Sequence, residues 1–172
     1  AVSHPRKKRR WVERAQRLGT ASWGRIARDQ NGIGGLIQYG PTELFPRAER
    51  LPAGPPSSDC ALLTCMLVFS DDPIETGEQL TLEALADLKS RGVRAVEAFS
   101  IGFADEVDDE DRFTSHHTLF DRELLASLGF TIVRSHGQVA LMRLELSDAP
   151  EGRAPLLVRL RAGLTRARSR TG

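Results

Sequence analysis

The sequence is poor in cysteine: it has two in 172 residues, Cys60 and Cys65. They lie five positions apart in one apolar run, a spacing that matches neither a disulfide framework nor a zinc-binding motif. Because side chains alternate between the faces of a strand, an odd separation directs the two thiols to opposite sides, so we do not expect them to pair. Unlinked cysteines are typical of a reducing compartment, which predicts a cytoplasmic location.

Long apolar runs are also absent. No stretch of about 18 apolar residues occurs, so the sequence predicts no membrane-spanning helix and no membrane partner. The basic start, "AVSHPRKKRRW", has no apolar segment behind it and therefore does not resemble a secretory signal. This basic cluster has neither aromatic-rich surroundings nor a helix-turn-helix pattern, which argues against nucleic acid as a partner.

A net charge of +1 conceals a strong segregation of charge along the chain. Residues 1–50 hold 11 Lys or Arg against 4 Asp or Glu, residues 51–150 hold 7 against 18, and residues 151–172 hold 6 against 1. Two explanations stay open: the basic ends pack on the acidic middle, or they serve an anionic partner. We interpret residues 1–150 as one domain and residues 151–172 as a basic C-terminal helix or tail with leucines at helical spacing.

Hydrophobic periodicity and turn residues predict the order of the elements. They predict a helix over 6–19, strands near 23–28 and 33–39, a strand over 60–69, a helix over 77–91, a strand over 93–101, a helix over 117–128 and strands over 130–135 and 139–146. The strand at 60–69 is apolar almost throughout, which is typical of a central strand buried on both faces. The segment 60–101 is long enough for a right-handed parallel crossover.

Particular words of the sequence carry a resemblance to a known family. "YGPTELFPRAERLPAGPPSSDCALLTCMLV", "LADLKSRGVRAVEAF" and "ELLASLGFTIVRSHGQVALMRLEL" resemble a bacterial subgroup of the GNAT N-acetyltransferase superfamily that carries YAPP, FPRA and VEAF words. The resemblance spans about residues 7–146 and implies an α+β fold, a GNAT-like central mixed sheet flanked by helices. The superfamily opens with a strand before the matching segment, so the first strand is expected to be missing here. Its absence would leave a sheet edge open to a second copy in a homodimer.

The resemblance also implies a cofactor, acetyl-coenzyme A, whose acyl group is transferred to an amine. In the superfamily the central buried strand splays from its neighbour and exposes backbone groups to the pantetheine arm of the cofactor. In this sequence that role falls to Met66, Leu67 and Val68.

The superfamily seats the pyrophosphate of the cofactor on a Q/R-x-x-G-x-G/A turn before the next helix, where free N–H groups and the helix dipole hold an anion. The six motif positions fall on residues 72–77, and only the last glycine is kept, so the motif is degenerate. The resemblance makes Thr76, Gly77 and Glu78 candidate cofactor-binding residues. Thr76 with Gln79 also fits a capping box, in which the helix satisfies its own N-terminus without a ligand.

Amine acetylation needs a base that takes the proton of the ammonium group. Glu97 is the candidate catalytic residue, because it is an acid within an apolar strand, where burial makes a carboxylate a better proton acceptor. The alternative is a structural ion pair with Arg94 or with an arginine of a neighbouring strand. The usual general acid of the superfamily is a tyrosine at the position that Leu125 occupies here, so the acid is absent or supplied otherwise.

His116 and His117 adjoin the acidic stretch 105–111, for which a metal site and a solvated loop are alternatives. Adjacent histidines at one helix start do not chelate easily and the stretch lacks the glycine of a calcium loop, so we predict no metal site. In the superfamily, acceptors approach this region, and its charge favours a small cationic amine. Three functions stay open: an N-acetyltransferase, a catalytically degenerate GNAT-fold module that binds a partner without coenzyme A, and, as the weakest, a nucleic-acid-associated protein that uses its basic ends.

Overall fold

The computed structural model describes residues 5–17, 24–30, 32–103 and 116–146. Its elements are, in chain order, α1 (Pro5–Arg17), β1 (Gly24–Asp29), β2 (Gly32–Pro41), β3 (Ala61–Val68), α2 (Pro73–Ser90), β4 (Ala95–Ile101), β5 (Phe120–Asp121), α3 (Arg122–Ser127), β6 (Thr131–His136) and β7 (Val139–Glu145). The predicted C-terminal helix or tail, the domain boundary at 150 and the acidic stretch 105–111 lie outside the described residues.

One mixed sheet contains the seven described strands in the order β1-β2-β3-β4-β7-β6, with β5 paired to β4 as well. The pairs β3–β4 and β4–β5 run parallel, and the other neighbours run antiparallel. Helix α2 makes the crossover from β3 to β4 that the sequence predicts. The predicted α+β fold, a central mixed sheet flanked by helices, is confirmed.

Two glycines end the helices where the sequence predicts it. Gly92 follows α2 with φ at +75°, and Gly129 follows α3 with φ at +92°. Both are in the left-handed region, which glycine enters without the steric cost that a side chain would add. The apolar sides of the helices then turn back onto the sheet.

The core has two parts, one on each face of the sheet. On one face the apolar sides of α2 and α3 pack on the strands, with Leu80, Leu88 and Leu125 fully buried. On the other face Leu62, Phe99 and Leu141 pack against Ala48 and Ala53 of the segment between β2 and β3. Since neighbouring residues of a strand point to opposite faces, Glu97 lies on the same face as Phe99, beneath that segment.

Helix α1 docks on the second face through one aromatic residue. Trp11 donates from Nε1 to the carbonyl oxygen of Leu44 at 2.9 Å, and its ring lies 6.1 Å from that of Phe45. The helix contributes Ala15 to the core and exposes its basic residues. None of the described helices combines the length and the apolar content that crossing a bilayer requires.

Two predicted helix boundaries are wrong. Helix α2 begins at Pro73 rather than 77, because the carboxylate of Asp72 accepts from the N–H of Glu75 at 3.0 Å and proline suits the first helical position. The helix predicted over 117–128 is limited to α3, because Phe120 and Asp121 pair with β4 and Asp121 then caps the helix by accepting from the N–H of Leu124 at 2.8 Å.

Candidate functional site

Strands β3 and β4 part along their length. They pair over three residues each, from Ala61 with Val96 to Leu63 with Ala98. Beyond that point the edge of β4 pairs with β5, through Ser100 and Ile101. We call this divergence the fork. It opens toward the C-terminal ends of β3 and β4. Helix α2 begins at this end of the sheet, and the predicted cofactor-binding residues lie here.

The predicted cofactor residues of β3 line one arm of the fork. Met66 is buried and donates its N–H to the carbonyl oxygen of His117 at 2.9 Å. The N–H of Phe69, three positions on, bonds to β2 instead, at Gly34. Because backbone groups alternate in direction along a strand, Met66 and Val68 direct their N–H and C=O groups into the fork, and Leu67 directs its own toward β2.

The chain itself lies in the fork. Residues 116–119, which we call the plug, run from the described edge of the loop after β4 to the start of β5. The plug meets β3 through the bond between His117 and Met66, and it leads into the pairing of β5 with β4. Sequence reasoning missed this arrangement and predicted a helix from 117. The two-residue strand "FD", into which the plug leads, has no periodicity that could indicate it.

The N-terminus of α2 lies beside the end of β3. Asp72 accepts from the N–H of Glu75 through its side chain and from the N–H of Thr76 through its carbonyl group at 3.2 Å. Pro73 has no N–H to offer. The predicted capping box is therefore wrong: Thr76 lies one turn inside the helix, and its hydroxyl is 2.7 Å from that of Ser70.

The other two candidates of this turn lie further into the helix. Gly77 is buried, and its carbonyl oxygen accepts from the hydroxyl of Thr81 at 2.8 Å. Glu78 is half-buried on the next position. Asp71, Asp72 and Glu75 are exposed around the helix start, so the local charge is negative where a phosphate would need donors.

Glu97 lies at the closed end of the fork, paired with Leu62 in the sheet register. Its carboxylate is fully buried and accepts three hydrogen bonds. They come from the N–H of Ser57 at 2.8 Å, from the hydroxyl of Ser57 at 2.6 Å and from Nη1 of Arg143 at 3.3 Å. Of the two structural partners predicted for Glu97, the structure shows the arginine of a neighbouring strand.

Arg143 on β7 joins Glu97 to the surface. It lies directly opposite Glu97 in the register of β4 and β7, and it also bonds Asp59 at 3.0 Å and Glu145 at 2.6 Å. The hydrogen bond from Arg143 lowers the pKa of Asp59. Burial, with the charge of Glu97 beside it, raises the pKa of the nearby Cys60 thiol to about 12. Cys60 is a free, inert thiol here, since the thiolate is the reactive form.

The single tyrosine is used elsewhere in the fold. Tyr39 on β2 is fully buried, and its hydroxyl donates to Oδ2 of Asp87 on α2 at 2.7 Å. Asp87 also pairs with Arg25 and, at 2.7 Å, with Arg91. Burial and then the bond to Asp87 raise the pKa of Tyr39. Leu125 is fully buried in the core, so the position of the usual general acid holds no proton donor.

The sequence predicts no metal site around His116 and His117. Within the ranges that the structure describes, no three His, Cys, Asp or Glu side chains come together as metal ligands would. The ring of His116 lies 6.1 Å from that of Phe103, at an angle of 30°.

Comparison of the fold with solved structures finds N-acetyltransferases. The N-acetyltransferase from Staphylococcus aureus Mu50 is 13% identical with a TM-score of 0.52, and the match covers 85% of this chain and 79% of that one. The ribosomal-protein-alanine N-acetyltransferase from Brucella melitensis is 15% identical with a TM-score of 0.51, over 84% and 80% of the two chains. The acetyltransferase-like yncA of Salmonella typhimurium, solved with its cofactor acetyl-CoA, is 15% identical with a TM-score of 0.51, over 90% and 79%.

At these identities the likeness establishes the fold. The chain has the fold of the GNAT superfamily of N-acetyltransferases, as the words of the sequence imply. No protein-family model matches the sequence, and no curated protein matches it.

Proposed function

We propose that this protein is an acetyl-CoA-dependent N-acetyltransferase that acts on a small cationic amine in the cytoplasm. The observation that carries the proposal is the fork, in which two parallel strands of a GNAT fold part beside the start of the crossover helix. The solved yncA structure of this fold contains acetyl-CoA. Two unpaired cysteines fit a reducing compartment.

The arm of the fork formed by β3 fits an extended pantetheine chain. Met66 and Val68 direct backbone donors and acceptors into the fork, and the partly buried Leu67 lies between them. The start of α2 fits the pyrophosphate less well, since Asp72 already uses the donor of Glu75 and Pro73 has none. We therefore propose that Thr76, Gly77 and Glu78 shape the pyrophosphate end of the site. They contribute less to the affinity for acetyl-CoA than the arm formed by β3 does.

The acceptor is proposed from charge. Six of the seven residues in 105–111 are Asp or Glu. This stretch lies in the chain between β4 and the plug, and both of these described segments border the fork. Negative charge carried by the connecting chain favours a cationic over an anionic acceptor.

Acetyl-CoA supplies the acyl thioester, and the chain supplies the proton acceptor. Glu97 is the proposed base, because it lies at the closed end of the fork with Ser57 bonded to it. The hydroxyl of the half-buried Ser57 can pass a proton from the ammonium group of the acceptor to Oε1 of Glu97, which frees the nitrogen lone pair. Since Leu125 offers no proton, the departing thiolate takes, through water, the second proton that the acceptor nitrogen loses as the amide bond forms and the thioester bond breaks.

The proposal is tested by mass spectrometry of amines incubated with the protein and acetyl-CoA. Acetylation of a diamine or a basic amino acid at a rate proportional to protein concentration is the expected result. The matched control is the Glu97→Gln variant, in which the rate falls. No acetylated product from any cationic amine, with the protein folded, would contradict the proposal.

A second candidate function is a GNAT-fold module that binds a partner without coenzyme A. Two contacts favour it. The carboxylate of Asp72 takes the place of an anion at the N-terminus of α2, and the carbonyl oxygen of His117 accepts the hydrogen bond from the N–H of Met66. Absence of both acetyl-CoA binding and acetyl transfer would favour this candidate over the enzyme.

A further inference from the structure

The plug, residues 116–119, occupies the place in the fork that the proposed function assigns to the acyl-CoA arm. Its contact with β3 is made by the N–H of Met66, which donates to the carbonyl oxygen of His117 at 2.9 Å. A single backbone N–H cannot serve the plug and a ligand with good geometry at the same time. The plug and the pantetheine arm therefore compete for one edge of β3.

The plug is fixed at one end. At β5, Phe120 and Asp121 are 2% and 6% exposed, and they pair with Ser100 and Ile101 of β4. Asp121 also caps α3 through the N–H of Leu124 at 2.8 Å. Opening at this end would expose an aromatic core residue and unmake a helix cap, so the pivot of any movement lies before Phe120.

The other end of the plug has few contacts with the described residues. The side chains of His116, His117 and Thr118 are exposed, and Leu119 is half-buried against the smaller part of the core. Within the part of the chain that the structure describes, this end is held by the bond to Met66 and by the tilted ring pair of His116 with Phe103. Exposed side chains and few buried contacts among the described residues are typical of segments that open locally without unfolding the molecule.

We propose that residues 116–119 are a displaceable plug that closes the fork, and that acyl-CoA binds after His117 releases the N–H of Met66. The proposal rests on the proposed function and adds its regulation. The apparent dissociation constant is then the intrinsic one divided by the fraction of molecules with the plug displaced. Any change that raises this fraction tightens the binding of acetyl-CoA without touching a residue of β3.

The test compares two identical substitutions, Thr118→Gly in the plug and Thr131→Gly at the start of β6. Both threonines are exposed, and β6 lies at the far side of the sheet, separated from β4 by β7. Glycine raises the entropic cost of holding a segment in one conformation. Thr118→Gly is expected to favour the displaced plug and to tighten acetyl-CoA binding by about two- to fivefold, whereas Thr131→Gly leaves it unchanged.

A second readout does not depend on coenzyme A. Amide hydrogen exchange at Met66, followed by NMR, reports the bond to His117 in the free protein. We expect exchange at Met66 to accelerate in Thr118→Gly by about the same factor, and to remain at the wild-type rate in Thr131→Gly. Saturating acetyl-CoA should protect Met66 again in both variants.

The outcomes separate this proposal from the proposed function. Acetyl-CoA binding of equal strength in the wild type and in Thr118→Gly, with unchanged exchange at Met66, would overturn the plug and leave the enzyme standing. Faster exchange at Met66 without acetyl-CoA binding to any variant would overturn the proposed function and the regulation that depends on it.

Discussion

At the scale of single residues, the environment of Glu97 decides what it can do. A buried carboxylate without partners is costly, and Glu97 avoids this cost through Ser57 and Arg143. The same contacts that stabilise the folded chain also place the hydroxyl oxygen of Ser57, which carries an exchangeable proton, 2.6 Å from Oε1. A structural role and a role as base are therefore compatible, and only kinetics can separate them.

The Glu97→Gln variant is expected to lower kcat for amine acetylation by about 10²–10⁴-fold, because the amide keeps the shape of the side chain but cannot accept the proton. Asp59→Asn is the control, since Asp59 shares Arg143 but is exposed. Steady-state kinetics measure the difference: kcat should fall in Glu97→Gln and stay near the wild-type value in Asp59→Asn. Wild-type kcat in Glu97→Gln would leave Glu97 with its structural role alone.

The Tyr39→Phe variant tests the buried phenol. It removes the bond to Asp87 and should lower the free energy of unfolding by about 1–3 kcal/mol, since the acceptor is charged. Because folding raises the pKa of Tyr39 above its ordinary value of 10.0, this stabilisation is complete below about pH 10 and is lost as the pH rises further. Urea unfolding should show a difference in the free energy of unfolding between wild type and variant that is constant from pH 7 to about pH 10 and becomes smaller from there to pH 11. A gap that stays constant to pH 11 would contradict this role.

At the scale of elements, the N-terminus of α2 is closed by its own sequence. The anion that the helix dipole favours is the carboxylate of Asp72, which is covalently part of the chain and always present. A helix closed in this way remains stable without a phosphate ligand. It also repels one, because Asp71, Asp72 and Glu75 surround the same position.

Replacing Asp72 separates its two effects. Asp72→Asn keeps the cap and removes the charge, so acetyl-CoA affinity should rise by roughly fivefold, as expected for about 1 kcal/mol of repulsion in water. Asp72→Ala should in addition lower the free energy of unfolding by about 1 kcal/mol through loss of the cap. Calorimetric titration and urea unfolding measure the two quantities.

Glu83→Gln is the control for Asp72→Asn, because Glu83 is exposed on the same helix and away from its N-terminus. It changes the net charge equally and should leave acetyl-CoA affinity unaltered. Equal affinities in Asp72→Asn, Glu83→Gln and the wild type at low salt would show that the start of α2 does not face the phosphates.

The two wrong helix boundaries have one cause. Periodicity indicates where apolar residues lie on a helix, but the first residue of a helix is decided by a local cap. Asp72 and Asp121 are both good caps, and each sets the start of its helix. The pairing of Phe120 with β4 was not predictable from the sequence, because it depends on the fork leaving the edge of β4 open.

At the scale of the whole molecule, the order of the elements along the chain, apart from β5, and the crossover were predictable from periodicity, and the fold was predictable from the resemblance. These features are set locally. The apolar run at 60–69 specifies β3, and the glycines after α2 and α3 specify where both helices end. The sequence predicts that an arginine of a neighbouring strand can pair with Glu97, but it does not identify that arginine as Arg143. The partners Ser57 and Asp59 were not, since they come from a loop whose path depends on tertiary contacts.

The edges of the sheet bear on assembly. Strands β1 and β6 form the edges of the described sheet, and an open edge can pair with a second copy. The homodimer therefore stays a prediction, as do the roles predicted for residues 151–172.

Titration of the protein with acetyl-CoA by NMR, with calorimetry on the same samples, tests the central claim most directly. The account predicts saturable binding, with the largest shifts at the amides of Met66 and Val68 and smaller ones at the start of α2. The amide of Leu67, which faces β2, should shift less than its two neighbours. No heat and no shift at high micromolar acetyl-CoA, or shifts confined to surfaces away from β3 and α2, would contradict the claim that the fork binds acyl-CoA.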